Sequence, residues 1–205
     1  GVKVRTKGFL CMMDGKCQNA YSNNGSTQRC PLCKLLPAEY MEKTDAYKMD
    51  KLASELASEI AGAPLHFGCR SFSHLIKLGA LKRAKLKNYR VSGTENKAKY
   101  KKAKKTIQNA FMRKKGLRVD FPDKRGGTST TGNTVRKAFR DPEFMAKTLQ
   151  LPLALIVGIR DVWIAMRCGS PIYPEKFQEK CDGVLEIYRK KIPFKNMIPS
   201  LHKIL

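Results

Sequence analysis

Apolar side chains recur every third or fourth residue in several stretches of the chain, which is the spacing of one face of an α-helix. The first stretch runs from Met49 to Ile60 and ends at Gly62, so we expect an amphipathic helix there. The same spacing predicts two further helices. Their apolar positions are Phe72, Leu75, Ile76 and Gly79 in the first, and Tyr100, Ala103, Ile107, Ala110 and Phe111 in the second.

Proline marks three helix starts in the C-terminal half of the chain. Asp141 precedes Pro142, and an Asp at the N-cap followed by a Pro at the first helical position is a favoured helix start. Pro152 and Pro174 predict the starts of the next two helices, the first of which carries the only tryptophan, Trp163. We therefore expect the C-terminal half to be helical.

Two other segments do not follow the helical spacing. A short apolar run over residues 8–13 ends at Asp14 and Gly15, which predicts a buried strand followed by a turn. Between Asp120 and Asn133 the chain is rich in Gly, Pro, Ser and Thr. This composition predicts a flexible linker and an internal boundary.

Positive charge changes the picture most. The 205 residues carry 41 Lys or Arg and 17 Asp or Glu, which leaves a formal net charge of +24 at pH 7. Fifteen of these cations, but only one acid, fall between Lys82 and Arg118. Solvated helix faces usually mix both signs, so this segment predicts contact with a polyanion, with duplex nucleic acid as the leading partner. The candidate contacts are Lys101, Lys102, Lys104, Lys105, Arg113, Lys114 and Lys115.

Other interpretations of the same charge are a solvated face or a nuclear import signal at residues 101–105. Few aromatic residues lie among the cations, which disfavours stacking on single strands. The chain is 42% hydrophobic, which is too apolar for a wholly disordered basic tail. No apolar run approaches the roughly 18 to 20 residues that a membrane span requires.

Seven cysteines include one Cys-x-x-Cys pair, Cys30 and Cys33. Two thiolates on one tight turn form half of a tetrahedral zinc site, and the odd cysteine count fits reduced thiols better than a disulfide framework. Candidates for the remaining ligands are Cys11, Cys17, His66, His74 and His202. Cysteines are often simply small buried hydrophobes, and this alternative applies to Cys11, Cys69, Cys168 and Cys181. For His66 and His74 the alternative is a satisfied or exposed histidine.

Asp14 is the other candidate for chemistry, because it ends the predicted strand. Carboxylates that project from strand ends hold the divalent cations of two-metal nucleotidyl transfer centres. Asp-Gly is also a common turn, so spacing alone leaves both interpretations open.

Six motifs follow one another along the chain. They are Met13-Asp14-Gly15-Lys16 with Gln18-Asn19-Ala20, then the segments from Ser26 to Cys33, Ala63 to Gly68, Arg113 to Leu117, Gly132 to Phe139, and Leu201 to Leu205. In this order they resemble the middle of a Transib-type transposase, a family that includes the catalytic subunit of the V(D)J recombinase. The resemblance spans nearly the whole chain, which is more specific than any single motif.

The resemblance implies a mainly α fold with a short N-terminal β segment, at the edge of an RNase H-like core, followed by a helical zinc-bearing insertion domain. Residues 1–17 would end the core strand, residues 18–125 would form the first part of the insertion domain, and residues 126–205 its helical second part. By the same resemblance Asp14 matches the second catalytic Asp. The matched zinc ligands are Cys30, Cys33 and His202, and the matched DNA contacts are Asn133, Arg136 and Lys137.

The family cuts double-stranded DNA at transposon ends with Mg²⁺ or Mn²⁺ and joins the free 3′ hydroxyl to a second strand, while Zn²⁺ is structural. The resemblance also implies a nuclear homodimer. The first catalytic Asp would lie upstream of Gly1, and the second zinc His and the catalytic Glu downstream of Leu205, so we expect this chain alone not to cut DNA. The alternatives are a non-catalytic, domesticated zinc-containing DNA-binding module, and an RNA-binding structural protein of ribosomal type.

Overall fold

Helices account for most of the computed structural model. It describes residues 11–13, 25, 29–30, 35–37, 39–40, 60–121, 129–194, 196–202 and 204. The helices in this part of the chain are α1 (Pro64–Arg83), α2 (Thr94–Lys115), α3 (Gly132–Phe139), α4 (Pro142–Leu149), α5 (Leu153–Ala165), α6 (Pro174–Lys191) and α7 (Pro199–His202).

Helix α1 is the central element of the fold. It contacts α2, α3, α4, α5 and α7, while α6 packs on α5. A helix that is surrounded in this way needs apolar or small residues on nearly every face, and α1 has them. Its large, fully buried apolar side chains are Phe72, Leu75, Ile76, Leu78 and Leu81. The predicted apolar positions Phe72, Leu75, Ile76 and Gly79 are therefore confirmed as helix positions.

Two glycines let neighbouring helices approach α1 closely. A Cβ on Gly68 would lie 2.4 Å from the indole Nε1 of Trp163, on α5. A Cβ on Gly79 would lie 2.9 Å from the backbone oxygen of Leu149, at the end of α4. Real Cβ contacts are not this short, so both positions require glycine. The packing of α1 against α4 and α5 thus depends on two residues that carry no side-chain signal.

The proline-marked helix starts are confirmed. Helix α4 begins at Pro142, and the Oδ1 of Asp141 accepts a hydrogen bond from the backbone N–H of Phe144 at 2.9 Å. Helices α5 and α6 begin directly after Pro152 and at Pro174. The helix expected around Tyr100 to Phe111 is confirmed as α2.

The predicted fold class is wrong. The described residues form a helical domain, and they show no RNase H-like sheet at whose edge an N-terminal β segment would lie. Their only extended pairing joins β1 (Cys11–Met13) in parallel to β2 (Ile60–Gly62). Two such short segments bury too little apolar area to support a sheet, and in this chain helices carry the burial. The helix expected to end at Ile60 is wrong there, because Ile60 belongs to β2; residues 49–59 lie outside the described part.

Hydrogen bonds join the two ends of the Gly-rich segment that follows α2. The backbone N–H of Asp120 donates to the hydroxyl of Thr130 at 3.1 Å, and that of Phe121 donates to the hydroxyl of Ser129 at 3.1 Å. Buried residues before and after this loop belong to one core cluster. The internal boundary at residues 125/126 stays a prediction, since residues 122–128 are not among those described.

Candidate nucleic-acid interface

Helix α2 presents one face to the core and the opposite face to solvent. Ala103, Ile107 and Phe111 are its buried apolar residues. The ring of Phe111 meets Phe72 of α1 edge-on, with centroids 5.8 Å apart, and meets Phe144 of α4 at 5.2 Å. These aromatic contacts fix the rotation of α2 about its own axis. They therefore decide which of its cations face outward.

The outward face of α2 carries a row of cations at four-residue spacing. We call Lys97, Lys101, Lys105, Asn109 and Arg113 the basic ridge; all five are exposed. Residues four apart lie next to one another along a helix surface. Over sixteen residues at 1.5 Å per residue, the ridge is about 24 Å long. It is a continuous line of positive charge with one neutral polar position.

The basic ridge lacks internal compensation. Among the ion pairs of the described residues, none involves a ridge cation. Like charges four residues apart on a helix destabilise it by about 0.2–0.5 kcal/mol per pair. Helix α6 differs: besides its five cations it carries four acids, and Lys190 pairs with Glu186; the acids are Glu175, Glu179, Asp182 and Glu186. The ridge therefore retains an electrostatic cost that a bound polyanion would relieve.

The other predicted cations of α2 divide into two groups. Lys102 and Lys114 are exposed beside the ridge. Lys104 and Lys115 instead point to carboxylates of the fold. The Nζ of Lys104 lies 2.7 Å from the Oδ2 of Asp120, and the Nζ of Lys115 lies 2.5 Å from the Oδ2 of Asp141. These two lysines hold α2 in place and are the least available of the set for phosphate.

Asp120 is a buried acid that the sequence analysis did not single out. Its backbone has a φ of 50°, in the left-handed region, and its carbonyl accepts a 3.0 Å hydrogen bond from the Nε2 of Gln108. Burial, and then the charge of Asp120, raises the pKa of Tyr100 to about 12. The only signal in the sequence was an uncharged amide, Gln108, within a basic helix; in the structure it is buried, and buried amides need fixed partners. Asp120 joins the Gly-rich segment to the middle of α2.

Helix α3 offers a second basic surface. The Oγ1 of Thr131 caps the helix by accepting from the N–H of Thr134 at 3.2 Å. Val135, Ala138 and Phe139 face the core. The opposite side carries exposed Asn133, Arg136, Lys137 and, directly after the helix, Arg140; we call these four the α3 basic face. The Oδ1 of Asn133 accepts a 2.8 Å hydrogen bond from the guanidinium of Arg136, which orients that cation.

His74 lies in a buried hydrogen-bond chain that occupies both of its ring nitrogens. The Tyr188 hydroxyl donates its one hydrogen to the backbone oxygen of Asn196 at 2.9 Å. It must therefore accept from the Nε2–H of His74, 2.8 Å away, which leaves Nδ1 to accept from the hydroxyl of Tyr89 at 3.0 Å. Burial, and then the charge of Lys77, lowers the pKa of His74 to about 3, so the ring is neutral. The alternative of a satisfied histidine is confirmed for His74, and His66 is exposed.

Tyr89 connects this chain of hydrogen bonds to the loop before α2. The Nζ of Lys77 lies 3.6 Å from the centroid of the Tyr89 ring. Burial raises the pKa of Tyr89 to about 12, so its hydroxyl remains a donor. The loop that carries exposed Lys87 and Arg90 is thereby anchored to α1. Sequence spacing gave no sign of this anchor, because its partners are distant in the chain.

The predicted zinc ligands are only partly within the described residues. Cys30 is buried, and its backbone N–H donates to the backbone oxygen of Leu35 at 2.9 Å. The ring of His202 stacks on Tyr40 with centroids 3.8 Å apart. Cys33, Cys17 and Asp14 lie outside the part of the chain that the structure describes. Within that part, no three His, Cys, Asp or Glu side chains converge on a metal-sized site.

The other cysteines among the described residues differ in burial, so the prediction that they are small buried hydrophobes does not hold for all of them. Cys181 is buried, and burial, then the charge of Asp182, raises the pKa of its thiol to about 11. Cys69 is half-buried. Cys168 is exposed, so the prediction is wrong for that residue. It follows the end of α5 in a turn where Gly169 has a φ of 70°, and such turns lie on the surface.

None of the helices described is both long and apolar enough to cross a membrane. No protein-family model matches the chain, and no curated protein matches it either.

Proposed function

We propose that this chain binds double-stranded DNA through the basic ridge of α2, as part of a Transib-type transposase. The observation that carries the proposal is a line of exposed cations that the described residues leave without acid partners. Phosphate contacts supply most non-specific affinity for DNA, since each one releases a condensed counterion. A one-sign helix face of this kind is what such contacts require.

The shape of the ridge favours a duplex over a single strand. At 3.4 Å per base pair, its length of about 24 Å corresponds to roughly seven base pairs. Single-strand binders add exposed aromatic side chains on which bases stack. On α2, Phe111 is buried and Tyr100 is half-buried, so neither ring offers a free face. The contact is then with the phosphate backbone, and it carries no base sequence by itself.

The salt dependence of binding tests the proposal. In the full chain, Lys101→Gln together with Lys105→Gln should lower the slope of log K against log salt by about 1.8, because each lost phosphate contact contributes about 0.9. The control variant carries Lys176→Gln and Lys191→Gln on α6, which removes the same charge from a mixed-sign helix. It should leave the slope nearly unchanged. Equal loss in both variants would mean that net charge alone drives binding.

Competition between duplex DNA and structured RNA separates the proposal from the RNA-binding alternative. Both ligands are polyanions, so a basic surface alone binds each of them. The proposal expects that a 16-base-pair DNA duplex displaces the protein from a structured RNA at comparable concentration. A strong preference for RNA would overturn the transposase proposal.

We also propose that Cys30, Cys33 and His202 hold a structural Zn²⁺. Support comes from the burial of Cys30 and from the Tyr40 ring, which stacks on the imidazole of His202. Zinc would supply a crosslink between the N-terminal segment and α7. Metal analysis of the purified chain should find zinc that is lost in Cys30→Ser and His202→Ala and retained in Cys168→Ser, whose thiol is exposed. Zinc content that is unaffected by the first two changes would exclude this ligand set.

The catalytic part of the proposal rests on the resemblance alone. In the full-length form, Asp14 would bind Mg²⁺ or Mn²⁺ for DNA cleavage and strand transfer. We expect no nicking by this chain with Mn²⁺, since one carboxylate cannot hold two divalent ions.

A further inference from the structure

The C-terminal end of α2 touches the corner between α3 and α4. The Nζ of Lys115 lies 2.5 Å from Asp141 and 5.2 Å from the centroid of the Phe144 ring. The Phe144 ring in turn lies 5.2 Å from that of Phe111. We call the Lys115–Asp141 ion pair, with Phe144 beneath it, the joint.

Exposed cations precede both members of the joint in the sequence. Arg113 and Lys114 precede Lys115 on α2, and Arg140 precedes Asp141 at the end of α3. Lys137 and Arg136 lie one turn further back along α3. Because Lys115 contacts Asp141, the C-terminal end of α2 meets the end of α3, although the two residues are 26 positions apart in the chain.

The acids at this corner do not interrupt the positive surface. Asp141 is already paired with Lys115 and caps α4, and the segment from Gly132 to Arg140 contains no acid. Glu143 is the next acid, and Lys147 follows it four residues later on the same exposed side of α4. The joint thus neutralises one carboxylate between two basic surfaces.

From these contacts we propose that the basic ridge and the α3 basic face bind one DNA duplex together, as a single surface with the joint between its two halves. The inference rests on the proposed function and adds that each chain engages one duplex through both helices. The ridge of about 24 Å and the eight residues of α3, about 12 Å long, together span at most about 36 Å. One turn of B-DNA has this length, about 34–36 Å.

Stoichiometry and salt dependence on a 16-base-pair duplex test the inference. We expect one duplex per 205-residue chain in sedimentation, and a single binding event in fluorescence anisotropy. The ridge variant (Lys101→Gln with Lys105→Gln) and the face variant (Arg136→Gln with Lys137→Gln) should each lower the slope of that same event by about 1.8. The combined variant should lower it by about 3.6. The α6 control, Lys176→Gln with Lys191→Gln, should bind as the unaltered chain does.

Two results would overturn the inference while leaving the proposed function intact. The first is two duplexes per chain, with each variant abolishing one of them. The second is one duplex whose slope responds to the ridge variant and not to the face variant. Absence of binding to any duplex by the unaltered chain would instead remove the proposed function itself. Circular dichroism melting of each variant checks that the substitutions leave the fold intact, and all of them are at exposed positions.

Discussion

The imidazole of His74 donates from Nε2 to the hydroxyl of Tyr188 at 2.8 Å, across 114 positions of the chain. The bond joins the middle of α1 to the last turns of α6. Because the Tyr188 hydroxyl donates its hydrogen bond to the backbone oxygen of Asn196, the tautomer of His74 is fixed. A proton added at Nδ1 would displace the bond from Tyr89 and place a buried charge near Lys77.

As the pH falls, His74 should destabilise the protein at higher pH than the range in which the carboxylates of the protein titrate. The pKa is about 3 in the folded chain against an ordinary 6.5, so below pH 6.5 only the unfolded state takes up this proton. The stability is complete above pH 6.5 and is lost as pH falls toward 3. Between pH 6.5 and 5 the loss should approach about 2 kcal/mol, as about 1.4 kcal/mol per pH unit is the limit for one proton. Urea unfolding at several pH values measures it.

A matched pair of variants isolates this titration. In His74→Gln the slope of stability between pH 6.5 and 5 should largely disappear, whatever the stability at pH 8. In His66→Gln, at an exposed position, the slope should persist. Identical slopes in the unaltered chain and in His74→Gln would contradict the assignment.

Loss of the Tyr188 hydroxyl should destabilise the fold more than loss of any exposed hydroxyl. Tyr188→Phe leaves the Nε2–H of His74 without its acceptor and the oxygen of Asn196 without its donor. Each unpaired buried group costs about 1–3 kcal/mol. Tyr173→Phe is the control, because 73% of Tyr173 is exposed, and it should change the free energy of unfolding by less than about 0.5 kcal/mol. Similar values for both variants would refute the buried chain of hydrogen bonds.

Alanine should have opposite effects at two helix glycines. At Gly79 the new Cβ would meet the backbone of Leu149 at 2.9–3.0 Å, and overpacking of this kind costs about 1–3 kcal/mol. At Gly183, on α6, nothing lies within 4 Å of the new Cβ, and alanine should stabilise the helix by about 0.5–1 kcal/mol. Thermal unfolding of Gly79→Ala and Gly183→Ala should therefore shift in opposite directions. A stable Gly79→Ala would show that α1 and α4 are further apart.

Asp141 has two roles that two substitutions separate. Asp141→Asn keeps an acceptor for the N–H of Phe144 and removes the charge facing Lys115; this should cost less than about 1 kcal/mol because the pair is partly exposed. Asp141→Ala also removes the cap and should cost about 1 kcal/mol more. Urea unfolding at pH 7 measures both, with Glu143→Gln as the exposed control. Equal costs for Asn and Ala would mean that the cap contributes nothing.

The same ion pair has a defined pH dependence. The hydrogen bond from Lys115, and then that from the Phe144 N–H, hold the pKa of Asp141 below its ordinary value of 3.8. Its contribution is therefore complete above that value and is lost as pH falls below it. The difference in stability between the unaltered chain and Asp141→Asn should close in that acidic range.

Local pattern predicted the helices well where their apolar faces repeat. Phe72 and Phe111 lie on such faces, and both are fully buried in the structure. Pattern failed at Ile60, whose helical spacing was overridden by pairing with Cys11, a contact between distant segments. Propensity and spacing describe neighbours in the chain, and tertiary pairing can reverse them.

The sequence predicted the positive charge of the candidate interface, but not which of its cations are free of ion pairs within the fold. Lys101 and Lys104 are equivalent in the sequence, since both lie in one basic run. Only the fold shows that Lys104 turns toward Asp120, sixteen residues later, while Lys101 remains exposed. Ion pairs between separate elements leave no periodic signal. Three-dimensional contacts were therefore needed to distinguish the cations that form ion pairs within the fold from those that remain exposed.

The contact between Trp163 and Gly68 makes the chain its own optical probe. The single indole donates to the oxygen of Pro64 at 2.9 Å, and the guanidinium of Arg167 lies 4.5 Å from its ring. Its ring also lies 5.7 Å from that of Phe139 on α3, so its emission reports the packing of α1 with α5 and α3. A ligand that binds the ridge and leaves the core intact should leave the tryptophan spectrum unchanged, whereas separation of α1 from α5 should shift it to the red.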